Sequence, residues 1–140
     1  MSGKPIITPY KLFKMGLIYS SLSLSNPINP ELKPIEVSSL VDTGALFLCI
    51  PEHISIQLQL RELEKREVSI ADGSKKLCSY VGPIKIQFEN RSCYTGALVI
   101  GDSVLLGAIP MEDMDLVIQP ALLKVTVNPS NPNIPGATVK

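Results

Sequence analysis

Prolines and glycines interrupt this chain so often that few apolar segments are long enough to form a helix. The 140 residues include 12 prolines and 9 glycines, and the apolar segments between them are short. Proline fixes φ and lacks a backbone donor, whereas glycine readily adopts turn conformations, so both residues tend to end regular elements. A chain of this length suits one domain with its own core. We therefore predict a single all-β domain with one or two short helices.

Three strands are predicted before the first helix. Leu17–Ser25 partly alternates apolar and small polar residues, as a half-buried strand does. A proline-rich connection separates it from the second strand at Ile35–Val41. Leu46–Ile50 is continuously apolar, which is typical of a strand buried on both faces. Pro51 then suits the first turn of a short helix.

A hairpin is predicted in the middle of the chain, after a charged surface connection at Glu62–Arg66. Its strands are Glu67–Ala71 and Lys76–Val81. Asp72-Gly73 lies between them, and this dipeptide tolerates the positive φ angles of a tight turn.

A second hairpin is expected after Gly82-Pro83, which should end the preceding strand. Its strands are Ile84–Glu89 and Cys93–Ile100. Asn90-Arg91 lies between them and is predicted to form the turn.

The last third of the chain contains a short apolar strand closed by glycine at Val104–Gly107. A helical turn is expected at Pro110–Asp115 and two final strands within Leu116–Val127. We expect the whole chain, residues 1–140, to form one domain with its core at about 12–127. The proline-rich tail at 128–140 should be extended or loosely ordered.

Composition and charge disfavour several classes of function. The formal net charge is zero and the 13 lysines and arginines are spread along the chain, which provides no basic surface for nucleic acid. No segment approaches the roughly twenty apolar residues of a membrane span, and the first residues do not resemble a signal peptide. Cys49, Cys78 and Cys93 lack CxxC spacing and predict reduced thiols in a cytoplasmic protein. With His53 as the single histidine, we expect no metal and no cofactor.

The segment Asp42-Thr43-Gly44-Ala45 is the strongest candidate for chemistry. A carboxylate that ends a buried apolar strand lies where neighbouring charges act strongly. Thr43 has a hydroxyl that can stiffen the loop through a hydrogen bond, and Gly44 permits a sharp turn immediately afterwards. The same four residues could instead form an ordinary turn, with Asp42 capping the strand.

Four features in order give the chain a resemblance to the retropepsin-like, or retroviral-type, single-domain aspartic proteases. The Asp-Thr-Gly-Ala motif follows an apolar strand, and Leu46–Pro51 leads into a short helix. The hairpin at Val68–Val81 occupies the place of the family's flap. Val104–Gly107 and its helical turn match the apolar-apolar-Gly element that packs beneath the catalytic loop in that family. The resemblance covers about Leu17–Val127.

The resemblance implies a closed, mainly antiparallel β barrel and a homodimer with its active site on the two-fold axis. Asp42 would be the catalytic aspartate, Thr43 would bond across the axis to its twin, and Gly44 would present backbone groups to the substrate. Substrate-binding positions implied in the same way are Ala45, Ala71, Asp72 and Gly73. The tip of the hairpin is charged where the retroviral flap is glycine-rich, which leaves flap closure and substrate preference open.

The chemistry of aspartic proteolysis also requires two copies of this chain. Two carboxylates must share one proton, so that one activates water and the other donates to the scissile carbonyl. The chain has a single Asp-Thr-Gly and no internal repeat, so two chains must each supply Asp42. A hydrophobic content of 45% fits a buried subunit interface. Because Ala45 cannot donate a hydrogen bond to the carboxylate, as a serine could, we expect activity at mildly acidic pH.

The sequence therefore predicts an aspartic endopeptidase that acts as a homodimer on a peptide or protein substrate, with no nucleic-acid or membrane partner. The substrate would bind as an extended strand between the two Asp42 carboxylates and the flaps. One alternative is a catalytically inactive module that keeps the fold for dimerisation or peptide binding, and turnover separates it from the protease. A second alternative is a β-barrel domain unrelated to proteases, for which no activity would depend on Asp42.

Overall fold

Six strands close into a barrel in the computed structural model, which describes residues 17–139. The strands within these residues are β1 (Tyr19–Ser25), β2 (Ile35–Val41), β3 (Leu48–Ile50), β4 (Arg61–Ser69), β5 (Lys75–Phe88), β6 (Arg91–Val99), β7 (Val104–Leu106), β8 (Leu116–Gln119) and β9 (Lys124–Val127). The helices are α1 (Glu52–Gln57), α2 (Ala108–Asp113) and a 3-10 turn at Pro120–Leu122. No helix within residues 17–139 is long and apolar enough to cross a membrane.

The barrel closes because β1 pairs with β2 along one edge and with β5 along the other. The order is β1-β2-β7-β3-β6-β5, and β5 pairs back to β1. The pairs β2–β7 and β3–β6 are parallel, whereas the other four barrel pairs are antiparallel. β4 extends the sheet beyond β5, and β8 and β9 form a separate antiparallel pair. The predicted all-β class, the closed barrel and the two short helices are confirmed.

The barrel interior is filled by aliphatic side chains that alternate along the strands. In β1, Leu22 and Leu24 are buried, Ser23 between them is half-buried and Ser21 is exposed, which is the predicted alternation. All three residues of β3 are buried, as expected for a strand covered on both faces. Each fully buried leucine or isoleucine contributes about 1.5–3 kcal/mol relative to an exposed one, so this core is the main source of stability.

Two segments predicted to lie outside strands belong to them. Glu62–Arg66 is part of β4 and not a connection. β4 pairs only with β5, so much of its surface meets solvent and its charged side chains suit an edge strand. Gly82-Pro83 does not end a strand either, because β5 continues through it with a shift in register against β6 between Val81 and Ile84.

The predicted strand at Leu46–Ile50 begins later than expected. β3 starts at Leu48, and Leu46 is 58% exposed in the preceding loop. The apolar run therefore included an exposed loop residue as well as the buried strand, and periodicity alone does not distinguish the two.

Arg91 is fully buried, although the sequence placed it in a turn. The turn lies at Glu89-Asn90, where Glu89 has a φ of 51°, and Arg91 begins β6. The Arg91 Nη2 donates a hydrogen bond to the carbonyl of Asn131, and the Asn90 amide donates to the carbonyl of Pro132 at 3.0 Å. The segment after β9, expected to be loosely ordered, is thereby attached to the barrel.

Asp115 attaches the same segment to the end of α2. Its carboxylate accepts hydrogen bonds from the Gly136 N–H at 2.8 Å, the Asn131 amide at 2.8 Å and the Asn128 amide at 3.0 Å. The Gly136 bond, then the two amide bonds, and more weakly the Arg91 charge hold the pKa of Asp115 below its ordinary value of 3.8. The ionised form is therefore the one that stabilises the folded chain.

We expect Asp115→Asn to lower the melting temperature by several degrees at neutral pH and to have progressively less effect in acid. Because the folded-state pKa is depressed, the stabilisation is present above the unfolded-state value and is lost as the pH falls through the folded-state value. Thermal melting of both proteins between about pH 7 and about pH 2 measures the difference. Glu112→Gln, at an exposed position on α2, is the control. A difference that stays constant down to the lowest pH would contradict this account.

Candidate active site

Asp42 begins the loop that connects β2 to β3. Its backbone N–H donates to the carbonyl of Leu106 at 3.0 Å and so extends the β2–β7 ladder by one residue. Its carboxylate Oδ1 accepts the Gly44 N–H at 2.9 Å, and its carbonyl accepts the Ala45 N–H at 3.1 Å. The backbone therefore fixes both the position of Asp42 and the direction of its half-buried side chain.

The segment after β7 packs directly against this loop. The Ala108 N–H donates to the carbonyl of Ala45, and the Ile109 N–H donates to the carbonyl of Leu46, both at 2.9 Å. A Cβ at Gly107 would lie only 2.4 Å from the Phe47 carbonyl oxygen, so only glycine fits this contact. The physical role of the glycine in Val104–Gly107 is this close approach of two backbones.

A groove of about 770 Å³ lies between the Asp42 loop and the end of β4. Its walls are mainly apolar, with a few carboxyl groups among the side chains. The groove is lined by Asp42, residues 44–47, Cys49, residues 67–71, Leu98, residues 100–103 and Leu105. Its volume and apolar lining with few polar groups are typical of ligand sites in proteins.

The seven predicted site residues divide between the groove and its surroundings. Thr43, Asp72 and Gly73 are exposed and do not line it. The other four line it, namely Asp42, Gly44, Ala45 and Ala71. The structure thus places the first four residues of the predicted flap, 68–71, across the groove from the Asp-Thr-Gly-Ala segment, and Ala71 is the one that was predicted to bind substrate.

The tip of the β4–β5 hairpin is a tight turn, as Asp72-Gly73 predicted. The Ile70 N–H donates to the Ser74 carbonyl and the Gly73 N–H donates to the Ile70 carbonyl, both at 2.9 Å. Gly73 has a φ of +87°, a conformation that favours glycine. Hydrogen bonds from the Ser74 hydroxyl and backbone N–H hold the pKa of Asp72 below its usual range. The Asp72 charge is therefore engaged within its own turn.

Several residues of the groove were not predicted from the sequence. Leu98 in β6 and Leu105 in β7 belong to apolar strands that could have been recognised as walls only with the strand order known. Cys49 lies in the buried strand β3 and also lines the groove, and burial raises the pKa of its thiol. Asp102 is a second aspartate in the groove, and no motif pointed to it.

The titratable side chains that line the groove are Asp42, Glu67, Asp102 and Cys49. His53 is exposed on α1 and does not line the groove. Among residues 17–139 no three His, Cys, Asp or Glu side chains lie together in an arrangement that could hold a metal ion. The groove therefore offers carboxyl groups beside apolar walls, an arrangement suited to proton transfer at a bound substrate.

Comparisons with known proteins find similarity among solved structures only. No protein-family model matches the chain, and no curated protein matches it. Among solved structures, the chain is similar to the solution structure of the simian foamy virus (mac) protease, with 17% sequence identity and a TM-score of 0.42. The match covers 66% of this chain and 91% of that chain. The barrel described above is defined by its strand pairing and does not depend on this similarity.

We expect Gly107→Ala to reduce the free energy of unfolding by about 1–3 kcal/mol, the usual range for overpacking. The added methyl group would meet the Phe47 carbonyl and push the Asp42 loop away from β7. Denaturant titration measures the loss. Ala108→Gly, which removes a methyl group at the next position, is the control and should cost at most about 1 kcal/mol. A Gly107→Ala protein as stable as wild type would contradict the close contact.

Proposed function

We propose that the protein is a retropepsin-like aspartic endopeptidase, active as a homodimer in which each chain supplies one Asp42. The observation that carries the proposal is the setting of Asp42, whose carboxylate is oriented by the Gly44 N–H at 2.9 Å beside an apolar groove. A volume of about 770 Å³ is sufficient for several residues of an extended peptide. The hairpin that faces Asp42 across the groove supplies the second wall.

Asp42 and the partner's Asp42 would share one proton across the two-fold axis. The ionised carboxylate takes a proton from a water molecule as that water attacks the scissile carbonyl. The protonated carboxyl donates its proton to the carbonyl oxygen, which gives a neutral tetrahedral intermediate. The carboxyl that took the water proton then transfers it to the amide nitrogen. The other carboxylate takes a proton from a hydroxyl of the intermediate as the C–N bond breaks, which leaves the two groups again with one shared proton. Thr43, exposed beside Asp42, is the proposed contact between the two loops.

The free edge of β4 supports binding of the substrate as an extended strand. β4 pairs only with β5, so the backbone groups on its other edge have no strand partner in the described sheet. Residues 67–71, at the end of β4 and the start of the turn, line the groove. An exposed strand edge beside a groove can add a peptide as a further strand, with side chains entering pockets alternately.

Exposed apolar side chains, two of them beside the Asp42 loop, support a homodimer. Leu46 is 58% exposed and Ile109 is 46% exposed, and the two residues are joined by the backbone hydrogen bond from Ile109 to Leu46. Leu122 and Leu123, between β8 and β9, are 63% and 46% exposed. Large apolar side chains that cluster on a surface favour association.

The cysteines support a cytoplasmic location within this proposal. Cys49, Cys78 and Cys93 are buried and form no disulfide. Burial, and then hydrogen bonding to Asp113, raises the pKa of Cys93 to about 12, so this thiol stays protonated. Unpaired thiols persist most readily in a reducing compartment.

We expect the wild-type protein to cleave members of a diverse peptide mixture, and Asp42→Asn to reduce cleavage by a factor of about 10²–10⁴. Asparagine keeps the shape of the side chain and removes the titratable proton. Cleavage is measured by mass spectrometry between about pH 3 and about pH 8, with the maximum expected at mildly acidic pH.

Glu31→Gln, an exposed carboxylate-to-amide change outside the groove, is the matched control and should retain wild-type activity. Melting temperatures establish that all three proteins are folded. If none of them cleaves while all elute as dimers, a catalytically inactive peptide-binding module with the same fold is favoured. A rate maximum at about pH 2 would contradict the expectation that Ala45, which cannot donate a hydrogen bond to Asp42, gives activity at mildly acidic pH.

A further inference from the structure

The β4–β5 hairpin leaves the barrel as a ribbon of two strands. β6 pairs with β5 only from Tyr80 onward, and β1 pairs with β5 only at Lys85–Gln87. The part of β5 from Lys75 to Ser79 therefore pairs with β4 alone. A two-stranded ribbon is only marginally stable by itself, so its direction must be set where it joins the rest of the protein.

The guanidinium group of Arg66 lies over two aromatic rings at that junction, those of Tyr80 and Phe47 (the Arg66 stack). The Arg66 Cζ lies 3.7 Å from the centre of the Tyr80 ring and 5.2 Å from the centre of the Phe47 ring. The two rings meet edge to face, with their centres 6.1 Å apart and their planes at 68°. The Arg66 Nε donates to the Glu64 carboxylate at 2.7 Å, which orients the guanidinium group. The ring of Tyr80 covers Gly96, where a Cβ would come within 2.3 Å of it.

These contacts join three parts of the candidate site. Arg66 lies on β4, one residue before the segment that lines the groove. Tyr80 is the residue at which β5 leaves its pairing with β6. Phe47 belongs to the loop that begins at Asp42 and itself lines the groove. The stack therefore links the base of the hairpin directly to the loop that carries Asp42.

We propose that Arg66 is a positioning residue that holds the β4–β5 hairpin at a fixed height above Asp42. The planar guanidinium group lies against the Tyr80 ring and near the Phe47 ring while it keeps its hydrogen bond to Glu64. The compact ammonium of lysine has no comparable flat face. The consequence for peptide cleavage rests on the proposed function. The effect on the hairpin itself, which should open more often when the stack is lost, does not depend on the proposed function.

The first test is amide hydrogen exchange of the full chain. Arg66→Lys should accelerate exchange across residues 67–79 by roughly tenfold, because the hairpin opens more often without the stack. Exchange across residues 84–99, in the barrel, should be unchanged. Arg61→Lys makes the same chemical change at an exposed position on the same strand and should leave both regions as in wild type.

A second variant disturbs the Tyr80 ring instead of Arg66. Gly96→Ala places a methyl group against the Tyr80 ring and leaves Arg66 in place. It should also accelerate exchange in residues 67–79. Melting temperatures of both variants show whether the barrel itself has been weakened.

The second test is the kinetics of peptide cleavage. A hairpin that is less firmly held should bind substrate more weakly, so Arg66→Lys should raise KM several-fold with little change in kcat. A fall in the fraction of folded protein would instead lower kcat and leave KM unchanged.

Equal exchange in Arg66→Lys and Arg61→Lys would overturn the proposal. Acceleration in the barrel equal to that in the hairpin would also overturn it, because Arg66 would then be a general stabilising residue. If no variant cleaves any peptide but exchange in the hairpin still accelerates with Arg66→Lys, the protease function fails and the positioning role of Arg66 stands.

Discussion

The contact between Gly107 and the backbone at Phe47 is the constraint on which the candidate site depends. A Cβ at Gly107 would lie 2.4 Å from the Phe47 carbonyl oxygen, so the two segments meet with no side chain between them. Hydrogen bonds from Ala108 and Ile109 to the same loop hold this contact on its far side. β7, which precedes Gly107, pairs with β2 and β3, the strands before and after the Asp42 loop. The position of Asp42 is therefore determined by the packing of the barrel.

The two walls of the groove differ in how they are held. The Asp42 side is fixed by the barrel ladder and by the buried strand β3. The opposite side is the end of a two-stranded ribbon with charged, exposed residues along much of β4. Rigid walls fix the geometry of reacting groups, whereas segments with few buried contacts supply the movement that admits a ligand. The Arg66 contacts with Tyr80 and Phe47 lie at the boundary between the firmly held wall and the less firmly held one.

Local patterns in the sequence predicted the elements that are defined by their own residues. Alternation identified β1, and Asp-Gly identified the hairpin turn. The Asp-Thr-Gly-Ala motif identified the loop that lines the groove, although its chemistry is still a prediction. The charged first part of β4, up to Arg66, was missed because its side chains carry little apolar signal. The burial of Arg91 was missed because its acceptor, the Asn131 carbonyl, lies 40 residues away in the sequence.

Other residues of the groove could not be predicted because their neighbours in the structure are distant in the sequence. Asp102 and Leu98 enter the site through strand order, and the stack of Arg66 on Tyr80 and Phe47 brings together residues from three separate segments. Contacts of this kind depend on closure of the barrel and leave no periodic signal in any one segment. Sequence motifs therefore located the Asp42 loop and the hairpin that faces it, whereas the tertiary structure added Leu98, Leu105 and Asp102 to the site.

The claim that one site is built from two chains is tested most directly by mixing wild-type and Asp42→Asn chains at constant total concentration, under conditions that allow subunits to exchange. If each active site needs two intact Asp42 carboxylates, activity should follow the square of the wild-type fraction, so an equal mixture keeps roughly one quarter of the wild-type rate. A rate that falls only in proportion to the wild-type fraction, to roughly one half, would show that one chain carries the whole site and would contradict the account.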